Sequence, residues 1–457
     1  GGMYANAITL VGTDKGLGVN LPPEVLASSG NISISSDGMI NLQAVSAGGS
    51  VNVHSAASNI TATKSVYAGA TASLSAGGSV NVNAGSAVAA KNTISINANQ
   101  LTNAGTIIAG LNADKTQNTT GLMNIATPNI SNTGNIQSTG DLNATGTTFT
   151  NNGIVSAGHN LTMTSTNLTN NKTLFAGNNM NLYTSGTLSN TANSNIFAVN
   201  NLNLSANAAG GKSASIINDQ ATIQALNGTL NVNTLNLQNI TTAPVIKTTT
   251  STVGNTTTSI DSIQSQGTPA QLLSGGNMNL NADTLLNNYS LISSGGNINV
   301  TSNALTNQFL NLYKKVVVTT YKSVQQCKWF IGGWTGVKKC STISVPQVTT
   351  TNSVIGNVAS TIQASGNITG NVANLTSTGI HPNQVINATP TAFQQKLPAG
   401  NQLAIVLPAG TQGLFVVSPN PQSKFLVVTN PAFASYANFV GSSYLLNRLG
   451  YKPGLGT

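Results

Sequence analysis

Hydrophobic residues along this chain come in short runs that alternate with polar residues and are broken by glycine. SAGGSVNV runs from Ser46 to Val53 and again from Ser75 to Val82. Looser copies begin at Ser138 (STGDLNA), Ser156 (SAGHNLTM), Phe175 (FAGNNMNL), Phe197 (FAVNNLNL), Ser274 (SGGNMNLNA), Ser294 (SGGNINVTS) and Ser365 (SGNITGNVA). Spacings between neighbours include 18, 19, 20 and 22 residues. A period of two marks strands with one buried face. The glycine, present in every copy but the one at Phe197, suits a reversal of chain direction. The asparagines beside it suit left-handed turn residues and stacked amide ladders.

One unit of about 20 residues cannot bury its apolar face alone, whereas stacked units can. Three short strands and three turns per unit predict an all-β fold, a right-handed parallel β-helix. The count is about 11 to 13 coils between Ser28 and Asn307, a rod of about 50–60 Å. A sandwich array needs longer strands, and propeller blades repeat at about 40 residues with aromatic signatures; neither pattern is present.

Two stretches interrupt the repeat. Residues 241–264 are rich in threonine with Gly254–Asn255 at the centre, which predicts a projecting hairpin. From about Asn311 to Ser353 a second hairpin is predicted, with Val316, Val318, Thr320 and Val324 on one face of its first strand. Thr342–Thr351 pairs back against that strand, and the rod resumes by Ala364–Ser365. Beyond His381 prolines punctuate three strand-like runs. Asn430–Pro431 then opens a helical spacing of Phe433, Tyr436 and Phe439 that Gly450 stops. The predicted organisation is a rod over 1–310, a binding region with resumed coils over 311–380, and a small α+β cap over 381–457.

Composition narrows the function. With 39% hydrophobic residues in alternation, the chain is not disordered despite its polar bias. Charged residues make up 5%, and they are unevenly placed. Residues 1–283 hold seven lysines and eight acids, net −1; residues 284–457 hold nine lysines, one arginine and no acid, net +10. An acid-free half points to an anionic partner. Nucleic acid is not expected, because the lysines are neither interleaved with arginine nor set in a reader motif.

The second hairpin carries the candidate site. Its tip reads CKWFIGGWTGVKKC and holds both cysteines and both tryptophans. In an oxidising compartment Cys327 and Cys340 close this loop as a disulfide; in a reducing one they stay free thiols. Trp329, Phe330, Ile331 and Trp334 with Lys328, Lys338 and Lys339 are the aromatic and cationic types that anchor binding interfaces. The competing reading makes the aromatics a private core under the cystine. Catalysis is not expected: the three histidines and eight acids are scattered, and Asp141 reads as a turn residue. No phosphate loop, zinc spacing or calcium repeat calls for a cofactor or metal.

Two terminal segments carry a family resemblance. GGMYANAITLVGTDKGLGVN (Gly1–Asn20) resembles the junction after the secretion domain of filamentous haemagglutinin-type proteins. QGLFVVSPNPQSKFLVVTNPAFASYANFVGSSYLLNRLGY (Gln412–Tyr451) resembles a segment of contact-dependent growth inhibition effectors, and the Gly-Asn repeats resemble the haemagglutinin repeats of both. The resemblance implies export through an outer-membrane two-partner secretion transporter to the cell surface. It also implies a receptor on neighbouring bacteria, either an outer-membrane protein or lipopolysaccharide. A haemagglutinin-type adhesin for host cells or matrix glycans is the alternative. The opening reads as the interior of a longer protein. The family's receptor-binding region varies, so no binding residue is carried over from it.

Overall fold

The computed structural model describes residues 1–330 and 336–378, with the strands Phe415–Val417 and Val427–Thr429. Each turn of the chain lays one strand on each of three faces. Face 1 is a 14-stranded parallel sheet from Met3–Ala5 to Thr361–Ala364. Faces 2 and 3 share a 24-stranded sheet. A bend separates them in early coils, as between Ile32–Ser36 and Ile40–Leu42. In the last four coils they fuse into 11-residue strands such as Met278–Asn288. This is the expected parallel β-helix. Eleven of its face 1 strands lie between Ser28 and Asn307, and the whole stack is roughly 60 Å long at about 4.8 Å per coil.

Apolar columns set the register. On face 1, Val25 pairs with Val45, then Val66, Val88, Ile107, Ile136, Val155, Leu174, Ile196, Ile223, Leu272 and Ile292, all buried. A slip of one residue would turn every one of these side chains outward, so burial alone fixes the pairing. Two positions on, Ala27, Ala47, Ala68, Ala90 and Ala109 stack in the tight corner, where only a small side chain fits. Between Thr106 and Ser294, face 1 is buried on its outer side too, as Ile108, Phe175, Phe197 and Leu273 show.

The repeat glycines have a different cause from the one expected. Among the described glycines, positive φ occurs at Gly16, Gly85, Gly110, Gly210 and Gly254, none of them in a repeat copy. The constraint is close stacking: a Cβ on Gly158 would lie 2.1 Å from the Thr139 carbonyl oxygen, and one on Gly275 1.9 Å from that of Leu226. The neighbouring asparagines are not left-handed either. Their side-chain oxygens accept the backbone N–H of the next coil, Asn31 (after Gly30) from Ser50 at 2.8 Å and Asn277 from Asn297 at 2.9 Å. Asp141 fills this position in its own coil and accepts the Asn160 N–H at 3.0 Å.

A separate amide ladder runs inside the rod along the corner between faces 3 and 1. Asn103, Asn132, Asn151, Asn170, Asn190, Asn218, Asn239, Asn287 and Asn307 each donate Nδ2 to the Oδ1 of the next, at 2.8–2.9 Å. The same amides donate to face 1 carbonyls, Asn151 to Thr173 and Asn170 to Asn195, each at 3.0 Å. Burial without partners would be costly, so the column persists only because each member serves the next.

Both insertions spring from that corner, two coils apart. The first hairpin pairs Val245–Val253 with Thr256–Ser265 around a two-residue turn with Gly254 at φ 57°. The second pairs Leu310–Phe330 with Val337–Val358, strands of 21 and 22 residues, or about 70 Å of chain each. Thr256–Ile260 also pairs antiparallel with Lys314–Val318, which joins the two hairpins into one four-stranded sheet. The sequence predicts each hairpin but not the pairing between them.

Near the C-terminal end, Phe415–Val417 pairs antiparallel with Val427–Thr429; the first lies within the expected strand run Leu414–Val417 and the second overlaps the expected run Phe425–Val428. The expected helix over Phe433–Leu449 lies outside the described residues, as does the rest of the proposed cap.

Candidate binding surface

The two hairpins form a single layer. Directly opposed residues in antiparallel strands share a face, so the register sorts the side chains. One face carries Lys247, Lys314, Lys322, Lys328 and Lys339, with Val316, Val318, Val324, Ile343 and Val345 between them. The other carries Tyr313, Tyr321, Trp329, Pro346 and Val348, with Lys315, Lys338 and the single acid Asp261. The sheet thus carries five lysines on one side, and on the other two lysines together with Tyr313, Tyr321 and Trp329. All seven lysines are exposed, and none meets a carboxylate among the described residues. Asp261 is engaged locally: it accepts the Thr248 hydroxyl at 2.7 Å and the Tyr313 N–H at 3.0 Å.

At the distal end Cys327 and Cys340 stand directly opposite, with Cα atoms 4.0 Å apart, and are disulfide-bonded. Trp329 pairs with Lys338 on the cystine's own face, while Lys328 faces Lys339 on the opposite one. Like charges set across from each other oppose pairing. The cystine one step back holds the strands together against that repulsion. The Trp329 ring is 66% exposed and lies beside Gly336, where a Cβ would approach it to 3.3 Å. This ring therefore does not join a core under the cystine. Lys328, Lys338 and Lys339 are likewise exposed. Ile331 and Trp334 lie outside the described residues, and so does the side chain of Phe330, whose backbone pairs with Val337.

The structure also brings together a pair that sequence spacing concealed. His159 Nδ1 stands 2.7 Å from Asp141 Oδ1, one coil away, and Asn178 Nδ2 stands 3.3 Å from His159 Nε2. Asp141 already caps the next coil's backbone, and Asn160 continues that column to Asn179. The pair thus extends a stacking column. Among the described residues no group of three or more His, Cys, Asp or Glu side chains is placed to hold a metal ion.

No family model, curated protein or solved structure matches this chain.

Proposed function

We propose that this chain is the extracellular rod and receptor-binding segment of a bacterial contact-dependent growth inhibition effector. It is exported by a two-partner secretion transporter and recognises an outer-membrane protein or lipopolysaccharide on neighbouring cells. One observation carries the reading: a single-layer sheet leaves the rod with five unpaired lysines on one face and an exposed tryptophan at its cystine-locked tip. A layer that covers no core of its own gains stability by meeting another surface, and exposed apolar area rimmed with charge is typical of binding sites. Trp329 supplies the anchor; the lysines supply attraction to phosphate or carboxylate groups. The rod sets the reach, and no bond-making chemistry is assigned to it.

Binding of fluorescently labelled chain to Gram-negative cells tests this reading. Saturable binding that Trp329→Ala and reduction of Cys327–Cys340 both weaken is expected, with the rod's circular dichroism unchanged. Binding confined to host cells or matrix glycans favours the adhesin alternative. No saturable binding to any cell makes the arm a mere staple between coils.

A further inference from the structure

A second candidate site lies on face 2 of the rod, whereas the hairpins leave from the corner between faces 3 and 1. Five amides stack outward on face 2: Asn203 donates to Asn181 at 2.7 Å, Asn231 to Asn203 at 2.8 Å, Asn279 to Asn231 at 2.7 Å and Asn299 to Asn279 at 2.9 Å. A parallel column places Tyr183 against Ser205, with Asn233 and Asn281 bonded at 3.0 Å farther along. The loop between Ser205 and Ser213 rises beside these columns. It is braced by the Ala206 N–H on the Gly211 carbonyl at 2.8 Å and the Gly211 N–H on Asn207 Oδ1 at 3.0 Å. Lys212, at the end of this loop, is paired with Asp283 at 2.5 Å, which fixes the wall to the rod and cancels its charge. Floor and wall enclose a groove of about 300 Å³ lined by Tyr183, Asn203, Asn231, Asn233, Asn279 and Asn281.

The chemistry of this groove is specific. An amide has two N–H donors and two acceptor lone pairs. Within the outward column each middle amide uses one donor and one lone pair on its neighbours. One donor and one acceptor per coil are left for a ligand, repeating at about 4.8 Å along the rod. A ligand that fits presents paired groups that both donate and accept, carries no charge, and offers an apolar edge to a tyrosine ring. Vicinal hydroxyls on a sugar do this. The buried ladder differs: there the amides also donate to carbonyls of face 1 and hold nothing in reserve for a ligand.

We infer that the groove between the 205–213 loop and the Asn203–Asn231–Asn279 column is a binding site for an uncharged oligosaccharide lying along the rod. The site is independent of the hairpin arm. It gives the rod a lateral hold on neutral glycan.

Calorimetric titration of the full chain with cellohexaose, mannohexaose and chitohexaose, and with hexagalacturonate as the acidic counterpart, decides this. At least one neutral hexamer is expected to bind. Tyr183→Ala should weaken it about tenfold, in line with the loss of one aromatic contact and its area. Ala208→Trp fills the groove from an exposed loop and leaves every residue of both columns unchanged, and it should abolish binding in a folded protein. Trp329→Ala should leave binding unchanged, which separates this site from the arm. Silence with all three neutral hexamers overturns the inference. So does stronger binding of the acidic hexamer, or binding that survives Ala208→Trp.

Discussion

Asn307 donates its side-chain amide to the carbonyl oxygen of Ser360, 53 residues further along the chain, at 2.9 Å. These two residues flank the long hairpin, so one hydrogen bond closes the base of a 49-residue excursion (Leu310–Val358). Asn307 is also the last member of the buried ladder and accepts from Asn287 at 2.9 Å. Ser360 in turn donates its hydroxyl to the Asn287 carbonyl at 2.9 Å. The arm is therefore anchored by the same column that holds the corner. Asn307→Ala should destabilise by roughly 1–2 kcal/mol, since one partly buried donor and one acceptor are lost. The effect should be local: amide exchange should quicken at the foot of the hairpin around 309–310 and 358–361, while coils before Asn190 keep their protection. Uniform quickening along the whole chain would show that the anchor has no local role.

Deep in the ladder the same chemistry is more costly. Asn170 is fully buried, donates to Asn190 and accepts from Asn151, both at 2.8 Å. Asn170→Leu takes the amide acceptor from Asn151 and the amide donor from Asn190 and from the Asn195 carbonyl, a loss of roughly 3 kcal/mol. Half-buried Asn171 bonds its outward neighbours Asn152 and Thr191, and Asn171→Ala should stay within about 0.5 kcal/mol. Thermal melts of the two variants check the contrast. Equal shifts would refute it.

The sorting of lysines by face makes a separate prediction about association. Changing Lys314, Lys322, Lys328 and Lys339 together to Gln strips four positive charges from one face. Adsorption to anionic vesicles should fall several-fold at low salt and converge with that of the parent protein near 0.5 M salt, because exposed charges are screened beyond a Debye length of about 10 Å at 0.1 M. A like number of lysines taken from outside the arm (Lys15, Lys64, Lys91 and Lys172) is the control. If both sets reduce adsorption equally, net charge and not the arm's face governs it.

One loop carries a pH signature. The Tyr67 hydroxyl donates to the Leu111 carbonyl at 3.2 Å and pins the loop that follows it. Burial first, then the nearby Asp114 carboxylate, raises the phenol above its ordinary 10.0. The folded chain thus keeps this proton after the unfolded chain has lost it. The stabilising contribution is complete below pH 10 and is lost as pH rises through the raised value. Melting temperature should fall more steeply above pH 10 in the parent than in Tyr67→Phe. Parallel curves would contradict the assignment.

The rod was legible in the sequence because its register depends on local alternation. Columns such as Val25, Val45 and Val66 recur at the coil spacing, and a strand of period two has only one way to bury them. The corner ladder had a signal that went unread, an asparagine two places after a buried apolar residue. It stands in LTN (101–103), ISN (130–132), FTN (149–151) and LSN (188–190). The eye goes instead to the asparagines beside glycine, where the amide oxygens have another task. The joining of the two hairpins was not legible. Thr256–Ile260 and Lys314–Val318 each look like ordinary outer strands, and nothing within either segment specifies a partner more than 50 residues away. Only their exit from the same corner, two coils apart, brings them within pairing distance.

Ile223 stands in register with Leu272 and Ile292 with Ile362, at separations of 49 and 70 residues, as Val155 does with Leu174 at 19. The mast does not register what has been spliced into it. A chain built this way can exchange one arm for another of different length and chemistry while each coil still finds the same neighbour. Recognition is thereby free to diversify on a scaffold that stays constant, and an engineer could graft a foreign hairpin between Asn307 and Ser360 on the same terms.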